Sequence, residues 1–482
     1  MHATVTARVL GMLLILFSVT MLPPVAVSLI YSESSAVIFL SAFSVTLLVG
    51  LLIWLPTRHS AYELRTRDGF IITVLFWLVL SVFGTLPFLF SNELKLSFVD
   101  ALFESVSGLT TTGATVLSGL DDLPKSLLYY RQQLQWLGGI GIIVIAVAIL
   151  PMLGVGGMQI YRAEAPGPMK DTKITPRITE TATLLFKIYL TLTATCSIAY
   201  WCAGMSIFDA ITHSFSTVAI GGFSTHDASI GFFDSTAIMF ICTFFMVISG
   251  INFALHFSVW HDRTFSFYWS DPEARMYLTI LLLGITIVCL FLYISGTYGW
   301  DESIIQGTFH LVSIMTTTGF ATTEFYAWPT FLPYFLLFLS FFGACAGSTG
   351  GGIKIGRMLI LMQQSIREIY QLVHPNAVLP IKINNRKVPD RIADAVWAFF
   401  GVYLAVFYLM VLLLLADGLD YVTAWSATAA SLNNLGPGLG TVTENYGSLE
   451  NFSKLVLCSG MLLGRLEIFT LLVLFSPTFW RR

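Results

Sequence analysis

A polar, glycine-bearing turn occurs four times in this chain, each time after an apolar run too short to cross a bilayer. The copies read Ser107-Gly108-Leu109-Thr110-Thr111-Thr112-Gly113-Ala114-Thr115, Val218-Ala219-Ile220-Gly221-Gly222-Phe223-Ser224, Met315-Thr316-Thr317-Thr318-Gly319-Phe320-Ala321-Thr322 and Asn433-Asn434-Leu435-Gly436-Pro437-Gly438-Leu439-Gly440. Aligning Gly113, Gly222, Gly319 and Gly436 gives spacings of 109, 97 and 117 residues. Each unit carries a long apolar run, the short run with its turn, and a second long run, which is the order of a helix, a re-entrant half-helix with a loop, and a second helix. Irregular backbone survives at membrane depth only where protein buries it or it lines a water-filled cavity, so four such loops are expected to surround one axis. Glycine permits positive φ, which lets successive carbonyls face that axis. Rings of carbonyls replace the hydration shell of a dehydrated cation, and the threonines add hydroxyl oxygens. One such turn alone reads more simply as a polar turn; four phased copies favour the ring.

The fourth register leaves two candidates, Gly436 and Gly438. Matching Ala424-Trp425-Ser426 to Ala101-Leu102-Phe103 selects Gly436 and sets Asn434 and Leu435 opposite Thr111 and Thr112.

Composition agrees with a polytopic membrane protein: 482 residues, 56% hydrophobic and 11% charged, with mean hydropathy +0.78, against about a quarter charged in soluble domains. Cys196, Cys202, Cys242, Cys289, Cys345 and Cys458 sit singly in apolar surroundings, without metal spacing, and read as small buried hydrophobes. The apolar runs 9–30 and 36–55 lack a small-residue cleavage site and read as two retained helices rather than a signal peptide. Long spans follow at 70–92, 126–153, 181–204, 233–258, 275–297, 329–362, 392–416 and 452–475, with half-helices near 99–110, 207–218, 302–315 and 421–432. The fold class is therefore all-α and polytopic, with four helix–loop–helix repeats around a pseudo-fourfold pore plus an N-terminal hairpin. Its expected divisions are 1–67 for the hairpin and 68–160, 161–262, 263–375 and 376–482 for the repeats.

Arg8, Arg58, Arg65, Arg67, Arg162, Lys170, Lys173, Arg177, Arg263, Arg275, Lys382, Arg386, Lys387, Arg391, Arg481 and Arg482 fall on one side of this arrangement, which the positive-inside rule makes cytoplasmic. Glu93, Asp121, Asp122, Asp227, Asp234, Asp301, Glu302, Glu324, Asp417, Asp420, Glu444 and Glu450 fall on the other. An acidic rim that concentrates cations explains that distribution, and so does simple tolerance of acids in outer loops; both readings stand. Half-helices entering from outside aim their negative C-terminal ends at the centre, which argues for a cation.

The four units, with Thr-Thr-Thr-Gly in the first and third loops and Asn-Asn-Leu-Gly-Pro-Gly in the fourth, resemble the Trk/Ktr/HKT superfamily of potassium transporters. Two spans preceding the first unit make the match closest to the membrane subunit of bacterial Trk systems. The resemblance implies a potassium-uptake pore in the bacterial inner membrane with both termini cytoplasmic, potassium as the transported ion, and no permanently bound cofactor. The coordinating ring is expected from Thr111, Thr112, Gly113, Ile220, Gly221, Gly222, Thr317, Thr318, Gly319, Asn434, Leu435 and Gly436. Only one glycine per turn is common to all four, so modest selectivity over sodium is expected.

A helix interior does not accommodate Gly347-Ser348-Thr349-Gly350-Gly351-Gly352 comfortably, at about 1 kcal/mol per glycine, so the third unit's second span is expected to break there. The resemblance makes that break a gate below the filter; a packing kink is the alternative. A phosphate-loop reading fails because Ile353 precedes Lys354. Arg465 stands inside a span, where it needs a cavity or a partner. The resemblance places it in the permeation path as an electrostatic barrier, while a buried acid such as Glu467 is the structural alternative. Lys187, Arg131 and Lys454 are expected to snorkel, and His213 and His310 to pack rather than relay protons.

The basic segment 363–392 reads as a linker; under the resemblance it helps dock a TrkA-type nucleotide-binding regulatory ring on a homodimer. Any nucleotide would belong to that partner, since this chain has no fingerprint for one. The lipid bilayer is the remaining partner, and no nucleic acid is expected. A proton- or sodium-coupled potassium symporter is the second transport reading. No HExxH, inward carboxylate pair or nucleophile constellation points to an enzyme.

Overall fold

The structure, a computed structural model, describes residues 3–59, 66–139, 141, 178–377, 379–383 and 386–480. The later part of the span expected over 126–153 lies outside the described residues, as do Arg65, Arg162, Lys170, Lys173, Arg177, Arg481 and Arg482.

Six described helices are long and apolar enough to cross a membrane, or eight if two sharply bent pairs each count as one span. The N-terminal hairpin packs Ala3–Val19 against Ala36–Thr57. Gly11 and Gly50 permit this: a Cβ on either would press on the other's backbone oxygen at 3.0 Å. Small residues at such a crossing give close backbone approach where lipid supplies no hydrophobic drive between helices.

Four short helices, Phe98–Leu109, Ile207–Ala219, Trp300–Met315 and Tyr421–Leu432, stand where half-helices are expected. Three start on side-chain caps: Ser97 accepts from Asp100 N, Ser206 from Asp209 N and Asp420 from Thr423 N. Such caps satisfy N–H groups that the first turn leaves open. Their inner halves are almost wholly buried, far from the solvated face of an ordinary surface helix.

Expected straight spans depart from the structure in two places. The run 233–258 bends by 94° between Thr236–Ser249 and Phe253–Asp262, where Gly250 ends one helix and Asn252 caps the next by accepting from Ala254 N at 2.8 Å. The run 452–475 bends by 103° after Arg465, where Glu467 and Ile468 both have φ of 53°. The run 329–362 breaks as its glycines predict, between Leu332–Ser340 and Ile355–Val373. Lys382–Ile383 pairs antiparallel with Arg386–Lys387 beside Ile355–Val373 and Asp390–Ala416.

Two expected snorkelling residues are instead buried. Arg131 is 1% exposed and donates from Nε to Glu104 at 2.6 Å, from Nη1 to Ser224 O at 3.1 Å and from Nη2 to Thr115 Oγ1 at 3.1 Å. Its guanidinium also lies 4.2 Å from the centre of the Phe223 ring. Lys454 binds Asp100 at 2.6 Å and Gly447 O at 2.9 Å, tying Asn451–Arg465 to the first short helix. Both find dedicated partners inside the protein, so neither needs to reach water. Lys187 is exposed. Among the cysteines Cys202 is exposed, contrary to its expected burial, because it lies on the outward face at the end of Ile178–Cys202.

Breaking a buried pair costs far more than deleting it whole, because one charge is left unmet. Arg131→Met is therefore expected to destabilise the protein by about 3–5 kcal/mol, and Arg131→Met with Glu104→Met by clearly less. Thermal unfolding in detergent of both variants checks this; equal losses would contradict it.

Candidate ion site

Each short helix ends in the same backbone figure. Thr111, Ile220, Thr317 and Asn434 have φ of 56°, 55°, 69° and 56°, and two residues on Gly113, Gly222, Gly319 and Gly436 have 83°, 79°, 85° and 97°. The intervening residue in each is not left-handed, so handedness alternates along the turn. Alternation turns consecutive carbonyls to one side, and the amides turn back onto the helix end. Thr112 N donates to Ser107 O, Gly221 N to Ser216 O, Thr318 N to Ser313 O and Leu435 N to Ala430 O, at 2.8–2.9 Å. This closes the open carbonyls of the helix C-terminus in the manner of a Schellman cap. The repeated dihedral falls on Gly436, while a Cβ on Gly438 would first meet Val442, Ser426 and Tyr446 of its own repeat.

The four turns close a ring. A methyl group on Gly113 would overlap the carbonyl of Gly221, one on Gly222 that of Thr318, one on Gly319 that of Leu435, and one on Gly436 that of Thr112. Every turn thus abuts the next at the same register, and the last returns to the first. Glycine is required here twice over, by φ and by contact.

Downstream of the turns, a cavity of about 630 Å³ is lined by the four ring glycines together with Asp227, Glu324 and Glu444. On the upstream side, a chamber of about 120 Å³ is lined by Asn434, Gly350, Gly351, Gly352 and Arg465. Arg465 donates to Thr111 Oγ1 at 3.2 Å, to Thr349 O at 3.3 Å and to the carbonyls of Gly138 and Gly139. Glu467, its expected alternative partner, pairs with Arg357.

The glycine-rich segment lies directly against the turns. Gly351 N donates to Thr317 Oγ1 at 2.7 Å, Gly352 N to Asn433 O at 3.1 Å, and Thr349 Oγ1 to Val218 O at 3.0 Å. A Cβ on Gly351 would overlap Asn433 O, so only glycine fits this approach. Gly347 and Ser348 lie at the segment's start, with Gly347 O accepting from Phe253 N.

Sequence reasoning missed the buttresses. Gln135 donates from Nε2 to Gly221 O at 2.5 Å and accepts from Phe223 N at 3.0 Å, while Gln132 donates to Phe223 O. Tyr446 donates to Gly436 O at 2.7 Å, and Asn434 donates to Thr112 Oγ1 at 3.0 Å. The run Arg131-Gln132-Gln133-Leu134-Gln135 inside an expected apolar span was the available signal. His213 and His310 pack as expected: their Nε2 atoms meet Ser224 Oγ and Thr322 N, and their Nδ1 atoms meet helix carbonyls.

A model of TrkH cation transport proteins matches residues 35–482. The chain is 54% identical over 475 residues to the Trk system potassium uptake protein TrkH of Halomonas elongata, covering 98% of each. The chain belongs to the TrkH family. It is 53% identical over 482 residues to TrkH of Escherichia coli K12, covering 100% of each, and 44% identical over 481 residues to TrkG of that strain, covering 100% of this chain and 99% of TrkG. The crystal structure of the potassium transporter TrkH from Vibrio parahaemolyticus superposes with a TM-score of 0.91 at 52% identity, covering 100% of both chains. This TrkH-family chain is a multi-pass membrane protein.

Beside the larger cavity, His226 binds Asp121 at 2.5 Å, lies 3.5 Å from Asp209 and stacks on Phe232. Partial burial would lower its pKa, but the carboxylates of Asp209 and Asp121 outweigh that and hold it above the usual value. Such a histidine contributes stability in full below about 6.5 and loses it as pH climbs through its raised folded value. His226→Gln is therefore expected to lower the unfolding temperature most near pH 6, with the gap to the parent closing by about pH 9. Thermal scans at both pH values check this, and a pH-independent gap would contradict it.

Proposed function

We propose that this chain takes up potassium through a pore formed by one polypeptide, with four re-entrant loops serving as its selectivity filter. The observation that carries the reading is the closed ring of alternately handed turns. In it, carbonyls from Thr111, Thr112 and Gly113, from Ile220, Gly221 and Gly222, from Thr317, Thr318 and Gly319, and from Asn434, Leu435 and Gly436 coordinate a dehydrated ion. Helix C-termini on all four sides add negative potential at the same point, which favours a cation. Relatives named as potassium uptake proteins support potassium as that ion.

The acidic cavity is the outer vestibule and the smaller chamber the inner side. The segment Gly347, Ser348, Thr349, Gly350, Gly351 and Gly352 gates the path from below, supported by its hydrogen bonds to the feet of the second, third and fourth turns. Arg465 supplies a fixed positive charge beneath the first turn and limits occupancy by potassium. Uncoupled conduction is favoured over proton symport because both ring nitrogens of His213 and His310 are engaged in holding the loops. The protein works in the bacterial inner membrane with cytoplasmic termini, as a homodimer carrying a TrkA-type regulatory ring. The basic strand pair Lys382–Ile383 and Arg386–Lys387 contributes to that docking.

Arg465→Ala, reconstituted in liposomes, is expected to raise potassium flux at least about fivefold, since one unit charge a few ångströms from an ion in a low-dielectric site is worth more than RT. Flux unchanged from the parent, in protein that elutes as a single species, would contradict the barrier role.

A further inference from the structure

Lys354 has no part in the reading above, yet it lines the chamber that holds Arg465. It is 7% exposed, and its Nζ donates to the carbonyl of Gly350. Gly350 presses on the third turn: a Cβ there would stand 2.9 Å from Thr316 O. The ammonium therefore sits against the floor of the ring.

Two further features make this placement unusual. Lys354 has φ of 79° and ψ of 135°, a conformation that suits glycine and strains any residue with a Cβ. The segment just before it is rich in glycine, but this strained position carries a lysine. Among the described residues, the chamber lining also carries three cations, Lys354, Arg357 and Arg465, and the carboxylate of Glu467. Arg357 is paired with Glu467 and stacks over Phe399 at 4.3 Å. Glu273, the other acid facing Lys354, is engaged by Ala346 N at 2.6 Å and Gly356 N at 2.8 Å. Glu467 faces Lys354 as well as Arg357.

We infer that Lys354 is a second fixed cation of the permeation path, its ammonium occupying the Gly350 carbonyl that a potassium ion below the ring would otherwise use. An ammonium and a partly dehydrated potassium ion compete for the same kind of oxygen, so the closed state is held by a side chain imitating the substrate. Opening then requires the glycine-rich segment to carry Lys354 away with it, which couples movement of the segment to removal of charge. This deepens the proposed pore and rests on it.

Potassium or rubidium flux into liposomes tests the inference with the full-length chain, comparing the parent with Lys354→Met, Lys354→Gly, Lys354→Arg and Arg465→Ala. Lys354→Gly relieves the backbone strain and so guards against misfolding as the cause. Loss of one unit charge is expected to raise flux at least about fivefold in Lys354→Met and Lys354→Gly, with Lys354→Arg near the parent. Increases in all three alike would assign the effect to packing and overturn the inference. Parent-like flux in Lys354→Met and Lys354→Gly beside a raised Arg465→Ala would overturn it and leave the pore intact. No flux in any of these proteins would overturn both.

Discussion

A carbonyl at the middle of a membrane protein must meet a donor, water or an ion, and this molecule brings four helix ends together in one closed ring of turns. Ordinarily a helix C-terminus closes by a local cap and the chain departs. Here the cap is retained, with each amide returned to its own helix by the same bond, 107 to 112, 216 to 221, 313 to 318 and 430 to 435. Alternating handedness then leaves the carbonyls on the opposite side. Glycine completes the figure because the neighbouring turn stands where a side chain would be. Repulsion among clustered oxygens is tolerable only with a cation among them, so the geometry and the proposed cargo are two sides of one constraint.

The ring is regular in backbone and irregular in support. Equivalent positions on the short helices carry Glu104, His213, His310 and Ala427, and the first three reach the segment that follows their own turn. Gln135 supports the second turn and Tyr446 the fourth. Buried polar groups satisfied in this way rigidify a site. Carbonyls that share a donor, such as Gly221 O and Gly436 O, offer less to an ion than those that do not, so the four sides are unequal as ligands. On the chamber side, the glycine-rich segment bonds to the second, third and fourth turns and Arg465 to the first, which couples any movement of the segment to the ring itself.

Much of this was legible in the chain. Apolar runs interrupted by glycine-bearing turns located the short helices, and the match of Ala424 to Ala101 selects Gly436, which repeats the positive φ of Gly113, Gly222 and Gly319. Six residues rich in glycine announced the broken helix. Arg131, Gln132 and Gln135 announced themselves as polar groups in an apolar span, but not their partners, which stand 16 to 93 residues away and are chosen by packing. The bends after Ser249 and Arg465 depend on tertiary contacts. One clue was present, since Gly250 and Asn252 are a stop and a start, while Glu467 and Ile468 adopt positive φ without any compositional hint. Lys354 carries no compositional hint of its place, which is set by the carbonyl it meets.

Anomalous diffraction from crystals grown in rubidium tests the ring most directly. The account expects a rubidium peak on the axis bounded by the carbonyls of Thr112, Gly221, Thr318 and Leu435. Rubidium found only elsewhere, with these carbonyls turned from the axis and filled by side chains, would contradict it.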